Sequence, residues 1–309
     1  MNSKKNVLIT GSSGFIGTEV VNKLKKNKKI ILYLLINKNK KKKIQKSKNI
    51  KYIYCSLLNY YKLKEIFNKL NITDVIHCAW SGVSGRVRNS PKQNINLKIT
   101  KNLLNAIRYK KIKCFIALGS QAEYGSKFYK IHENSELRPR TKYGKIKIKI
   151  LKKIRIFCTN NNIRFVWLRI FTGYGPNSEN NWIIPSTIFK LINNQKTEFT
   201  SGNQIYNFIY VSDIASAIKK SLLNRNANGI FNLGSQKSYP IKYIVKLIFK
   251  KLKIKKKPIF GELNYRNDQI MKFLPSILKI KKTLKWQPQY SISEGLNKTI
   301  KFIKENNII

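Results

Sequence analysis

The stretch Val7-Leu8-Ile9-Thr10-Gly11-Ser12-Ser13-Gly14-Phe15-Ile16-Gly17 decides the fold. Val7 to Thr10 reads as a short buried strand, and the glycines that follow mark a turn into a helical segment from Ile16 to Lys26. Gly11 permits a tight turn, Gly14 leaves room for a pyrophosphate at the helix N-terminus, and Gly17 lets helix and sheet pack closely. The spacing G-x-x-G-x-x-G is one residue longer between the first two glycines than the commonest dinucleotide fingerprint. Its place after a first strand carries the reading: Gly11, Ser13, Gly14, Phe15, Ile16 and Gly17 are expected to hold a dinucleotide.

Outward from this turn, short β-branched runs alternate with helical stretches, the pattern of a parallel sheet with crossover helices. Strands are expected at Val7 to Thr10, Ile30 to Ile36, Tyr52 to Cys55, Val75 to Cys78, Cys114 to Leu118 and Arg164 to Ile170. The helical segments between them run near Ile16 to Lys26, Leu63 to Leu70, Gln93 to Tyr109 and Gly144 to Asn160. Six strands with intervening helices make a Rossmann-type, doubly wound α/β sheet over residues 1–172. After Gly175 and Pro176 the rhythm changes to helices separated by short strands, so 173–309 is read mainly as a smaller, substrate-binding lobe. A cleft is expected at the carboxyl ends of the strands.

Composition bounds the function. The 309 residues include 63 Lys or Arg against 13 Asp or Glu, a net charge of +50. Lysine is mixed with Asn and Ile along the whole chain and has largely displaced arginine, so the charge does not mark one basic face for specific nucleic-acid recognition. The longest apolar run, Ile30 to Ile36, is far short of the roughly 18 to 20 residues needed to cross a bilayer. Cys55, Cys78, Cys114 and Cys158 are scattered without C-x-x-C spacing and there are only two histidines, His77 and His132, so neither a disulfide framework nor a metal site is expected. A cytoplasmic location fits these features.

A second cluster carries proton chemistry. The fifth strand runs into Gly119-Ser120-Gln121-Ala122-Glu123-Tyr124-Gly125, and Tyr143-Gly144-Lys145-Ile146-Lys147 opens the next helix. Tyr143 and Lys147 are four residues apart and share a helical face. A nearby ammonium is expected to lower the Tyr143 pKa, while Ser120 holds a substrate oxygen. Trp80 follows the fourth strand at the edge of the cleft and reads equally as a wall of the sugar site or as core. Glu123 reads either as an acceptor for a substrate hydroxyl or as a structural partner for a lysine. In a lysine-rich chain the scarce Arg86, Arg88 and Arg266 are the better phosphate candidates.

These motifs together resemble the extended short-chain dehydrogenase/reductases, the NAD(P)-dependent epimerases, dehydratases and reductases of nucleotide sugars. The resemblance includes Asn96 with Thr100, Leu103, Leu104 and Ala106, then Arg169 to Pro176, Phe208 to Asp213, Phe231 to Gly234 and Leu284 to Pro288. It implies a catalytic Ser120, Tyr143 and Lys147, with Tyr143 the acid/base, and cofactor contacts that include Asn96, Tyr143 and Lys147. It also implies a nucleotide-sugar substrate bound by residues such as Trp80, Ser120, Glu123 and Arg266, and it leaves a homodimer open. Gln121 and Ala122 stand where the family's 4,6-dehydratases carry an Asp-Glu pair, which disfavours dehydration. Asn37 and Lys38 replace the acidic residue with which NAD-binding members usually end the second strand. They favour NADP over NAD and, with it, reduction of a 4-keto-6-deoxy sugar nucleotide over 4-epimerisation.

Overall fold

A computed structural model of the chain describes residues 4–37 and 47–306, apart from the side chain of Arg86. The first half alternates β1 (Lys5–Thr10), α1 (Phe15–Leu24), β2 (Ile30–Ile36), β3 (Ile50–Tyr54), α2 (Tyr60–Lys69), β4 (Asp74–His77), α3 (Ile95–Ile107), β5 (Cys114–Ser120), α4 (Lys142–Asn160) and β6 (Arg164–Ile170). The second half holds β7 (Thr172–Tyr174), α5 (Ile183–Ile192), β8 (Ile205–Tyr206), β9 (Phe208–Tyr210), α6 (Val211–Leu223), β10 (Gly229–Leu233), β11 (Tyr239–Pro240), α7 (Ile241–Lys251), α8 (Leu278–Leu284) and α9 (Ile292–Glu305).

The central sheet has order β3-β2-β1-β4-β5-β6-β10, and every neighbouring pair is parallel. Parallel strands need both faces covered. One face buries Val7, Ile9, Leu32, Leu34, Ile116 and Val166 with α1, α6 and α8, and the other buries Leu8, Val75, Phe115 and Trp167 with α2, α3 and α4. This is the expected Rossmann-type sheet, with one correction: among the described residues it has seven strands, not six. The seventh, β10, starts at Gly229 with φ 98 and follows a long excursion through the second half, so its five residues read locally as loop. Residues 211–233 thus return to the sheet layer, while α5, α7 and α9 bury a separate apolar cluster around Ile188, Ile244, Ile248 and Leu296.

The strand order reverses between β1 and β4, whose ends register Thr10 against His77. Gly11 (φ 68) packs there against the backbone after β4, since a Cβ on it would stand 2.6 Å from Ala79 N. A Cβ on Gly17 would meet the Gly11 carbonyl oxygen at 2.0 Å, so the first helix approaches its strand as closely as the glycine pattern requires. Among the described residues no helix is long and apolar enough to cross a membrane, and no group of three or more His, Cys, Asp or Glu could hold a metal ion.

Candidate active site

The site is built on the carboxyl ends of β1, β4 and β5. Gly14 is the N-cap of α1 and offers no side-chain hydrogen bond, so the first N–H groups of the helix keep their capacity for an anion. Ser12 Oγ and Gln121 Oε1, on the segments leaving β1 and β5, are buried without a protein partner. Unpaired buried polar atoms beside a glycine cradle fit the family's dinucleotide. The cofactor would lie against Gly11, Ser13, Gly14, Phe15, Ile16 and Gly17, with the Phe15 ring edge-on to Trp182 at 5.6 Å at the border of the second lobe.

Ser120 ends β5 and caps a short 3-10 turn, its hydroxyl accepting the Ala122 N–H at 3.2 Å. Thr141 caps α4 by accepting the Gly144 N–H at 3.1 Å, which sets Tyr143 on the first turn. Gly144 lets that turn press onto the Ser120 segment, because a Cβ there would be 2.5 Å from the Ala122 carbonyl oxygen. Ser120 and Tyr143 are thereby brought together, close enough for the Ser120 hydroxyl to favour the ionised phenol. One turn later Lys147, 4% exposed, donates to the Leu118 carbonyl oxygen at 2.6 Å. Its Nζ stands 3.6 Å from the Trp80 ring centre and 5.6 Å from that of Tyr143, while Trp80 meets Tyr143 edge-on at 5.3 Å. Trp80 is therefore a wall of this cluster.

The electrostatics correct one expectation. Burial raises the Tyr143 pKa above its ordinary value. The opposing effects come from the Arg88 guanidinium and the Ser120 hydroxyl; Lys147 is not among them. Lys147 itself is pushed down to about 7 by burial, against the carboxylate of Glu123 and the thiol of Cys78. Burial also keeps His77 neutral, lowering it to about 3 with help from Lys147. The imidazole is bracketed by Thr10 Oγ1 at 2.7 Å and Thr100 Oγ1 at 3.3 Å.

Two further residues serve the frame. Glu123, 0% exposed, accepts the Ser120 N–H at 2.7 Å and the Trp167 indole N–H at 3.1 Å, and pairs with Arg169 at 2.7 Å. That corrects its assignment to a substrate hydroxyl, since no face of the carboxylate is open. The Asn96 side chain is engaged within the chain: its Oδ1 accepts the Ser81 N–H at 2.8 Å and its Nδ2 donates to the Ser81 carbonyl at 3.0 Å, pinning the loop after β4. Asn37 is exposed just past β2, and Lys38 lies outside the described residues. The Arg266 side chain is 64% exposed and 3.5 Å from Asp268. Both Arg266 and Arg88 are close enough to Tyr206 to lower its pKa, though burial raises it overall.

Sequence reading missed where Arg88 goes. It sits on the 3-10 turn Gly85–Asn89, and its guanidinium carbon lies 4.8 Å from the Tyr143 ring centre. The turn is fixed to the start of α4 by the Lys142 N–H donating to Asn89 Oδ1 at 3.1 Å. Only the scarcity of arginine hinted at this in the sequence.

Residues 7–234 match the NAD dependent epimerase/dehydratase family. The UDP-glucuronate 4-epimerase of Thermodesulfobacterium geofontis is 28% identical, over 97% of this chain and 96% of that protein. The dTDP-4-dehydro-6-deoxyglucose reductase of Escherichia coli is 25% identical, over 98% and 99%. Among solved structures, UDP-glucose 4-epimerase of Thermotoga maritima with UDP-glucose superposes with a TM-score of 0.89 at 21% identity, covering 98% of this chain and 99% of that one.

Proposed function

The chain belongs to the NAD dependent epimerase/dehydratase family and is an NAD(P)-dependent enzyme, and from that premise we propose that it oxidises and re-reduces C4 of a nucleotide-linked hexose, with 4-epimerisation as the net reaction. The observation that carries this is the convergence of Ser120, Tyr143 and Lys147 beside the glycine cradle. When bound, the nicotinamide cofactor supplies hydride uptake and return. Tyr143, ionised with the help of the Arg88 guanidinium, takes the C4 hydroxyl proton on its phenolate oxygen and, as the phenol so formed, gives it back, while the neighbouring Ser120 hydroxyl helps to set the place where that oxygen must lie. Lys147, fixed by the Leu118 carbonyl and the Trp80 ring, places its amino group, an ammonium below a pKa of about 7, one helical turn from the phenol. Full-length similarity to a UDP-glucuronate 4-epimerase supports this outcome.

A second reading, NADPH-dependent reduction of a 4-keto-6-deoxy sugar nucleotide, is favoured by Asn37 at the end of β2 and by similarity to the bacterial reductase. No carboxylate follows Ile36 to bind a ribose hydroxyl, and Lys38 supplies a cation for a 2′-phosphate. The two separate in one assay. An epimerase equilibrates the C4 hydroxyls of UDP-glucose or UDP-glucuronate with no net change in nicotinamide absorbance. A reductase consumes NADPH stoichiometrically with the keto substrate, binds NADPH more tightly than NADH, and loses that preference in Lys38→Asp. Neither activity appearing in cofactor-loaded protein would refute C4 chemistry.

A further inference from the structure

Arg88 is half-buried against the reacting phenol, and no acidic side chain among the described residues forms an ion pair with it. Its position is built. Gln93 Nε2 donates to the Val87 carbonyl at 3.0 Å, Asn96 clamps Ser81, and Asn89 ties the turn to α4. The contact with the Tyr143 ring offsets only part of the cost of a partly desolvated guanidinium, because such contacts contribute about 0.5 to 2 kcal/mol. A cation held this way is complementary to an anion that arrives with the substrate.

Sugar geometry identifies the anion. If C4 reacts at Tyr143 and Ser120, then C1 and its diphosphate lie across the pyranose ring, away from Tyr143. Arg88 on the Tyr143 ring therefore faces the C4 edge. The groups at that edge are the C3 and C4 oxygens and C6, which hangs from the neighbouring C5, and of these only an oxidised C6 is charged in an ordinary hexose. Arg266, on the second lobe, shares this neighbourhood, since both guanidinium groups act on Tyr206, but it is already paired with Asp268 and its side chain is 64% exposed.

Resting on the C4 reading above, we propose that Arg88 selects a C6 carboxylate, so that the substrate class is a nucleotide-linked uronic acid. The guanidinium donates two parallel hydrogen bonds to the carboxylate, which also orients C4 toward Tyr143.

The test is equilibrium binding of UDP-glucuronate and UDP-glucose to cofactor-loaded wild type, Arg88→Met and Arg88→Lys, alongside 4-epimerisation of both sugars. A charge-assisted, bidentate contact predicts a wild-type preference for the uronate of about ten- to a hundredfold. That preference should collapse in Arg88→Met and be partly kept in Arg88→Lys, which retains the charge without the fork. Any loss transmitted through Tyr143 affects both sugars and cancels in the ratio. If Arg88→Met leaves the ratio of the two dissociation constants unchanged, or if wild type shows no preference for the uronate, the inference is wrong while turnover of UDP-glucose would keep the C4 reading intact. Failure to bind either nucleotide sugar would overturn both.

Discussion

Replacing Glu123 by Gln keeps the shape of the side chain and removes one charge from a buried pair. Glu123 and Arg169 are 0% and 1% exposed and meet at 2.7 Å. Deleting one partner of such a pair typically costs about 3 to 5 kcal/mol, because the other charge stays buried. Arg169 would keep two acceptors, the Tyr124 hydroxyl at 2.8 Å and the Glu133 carbonyl at 2.9 Å, so the lower end, about 3 kcal/mol, is expected. With an unfolding entropy of roughly 2.1 cal/mol/K per residue, 309 residues give about 0.65 kcal/mol/K, and the melting temperature should fall by about 5 °C. The double variant Glu123→Gln, Arg169→Met removes both charges and should recover about 2 kcal/mol relative to simple additivity. The pH profile provides an independent readout. The Glu123 carboxylate raises the pKa of Lys147, so Gln lowers it further below the present value of about 7. The ammonium is then lost at lower pH, and the alkaline limb of kcat should move toward acid. A loss below about 1 kcal/mol, additive behaviour in the double variant and an unmoved alkaline limb would together refute the reasoning.

Tyr143→Phe keeps the ring that Trp80 and Arg88 contact and removes the proton. Turnover should fall about 10²- to 10⁴-fold with cofactor affinity nearly unchanged, as measured by single-turnover kinetics and cofactor titration. His77 is neutral in the fold, with a pKa near 3 against 6.5 when unfolded, so the unfolded chain alone gains a proton between these values. Stability should therefore drop as pH falls through that window, by up to about 1.4 kcal/mol per pH unit. His77→Gln should flatten that limb in melting curves between pH 4 and 7. Affinity for nucleic acid, a consequence of the +50 charge, should vanish with added salt and show no sequence preference in competition binding.

What the sequence made legible was local. The glycine turn, β1 and α1 occupy consecutive residues, and Tyr143 and Lys147 lie on one helical turn, so spacing alone brings those groups together. What it hid was set by register. Glu123 meets Arg169 because β5 pairs with β6 so that Gly119 lies opposite Arg169, a contact between residues 46 apart in the chain. Asn96 bonds Ser81 because the loop after β4 folds back over the start of α3, which no local pattern announces. The strand β10 escaped for the same reason: it pairs with β6 only after the chain has visited the second lobe.

Charge scarcity offers a way past this limit. With 63 basic and 13 acidic residues, a lysine at any given place says little, whereas a carboxylate says a good deal, since burying one without partners is expensive. The described structure agrees at each fully buried acid. Asp74 is paired with Lys5 at 2.9 Å at the base of β1, tying the switch-point strands. Asp213 accepts the Gln289 N–H at 3.0 Å and the Tyr290 N–H at 3.1 Å, securing the return of the chain after α8. Glu123 holds the Ser120 backbone and the Arg169 guanidinium. The same logic applies to arginine, which lysine has displaced nearly everywhere else. Arg164 donates to the Ser221 and Ala227 carbonyls at 2.8 and 2.7 Å, Arg169 closes the buried network, and Arg88 alone of these three faces the reacting phenol without an anion. Other arginines, such as Arg138 at 73% side-chain exposure, stand on the surface, so it is the geometry of the site and not scarcity alone that makes Arg88, set on the reacting phenol with no ion-pair partner among the described residues, the group to mutate first.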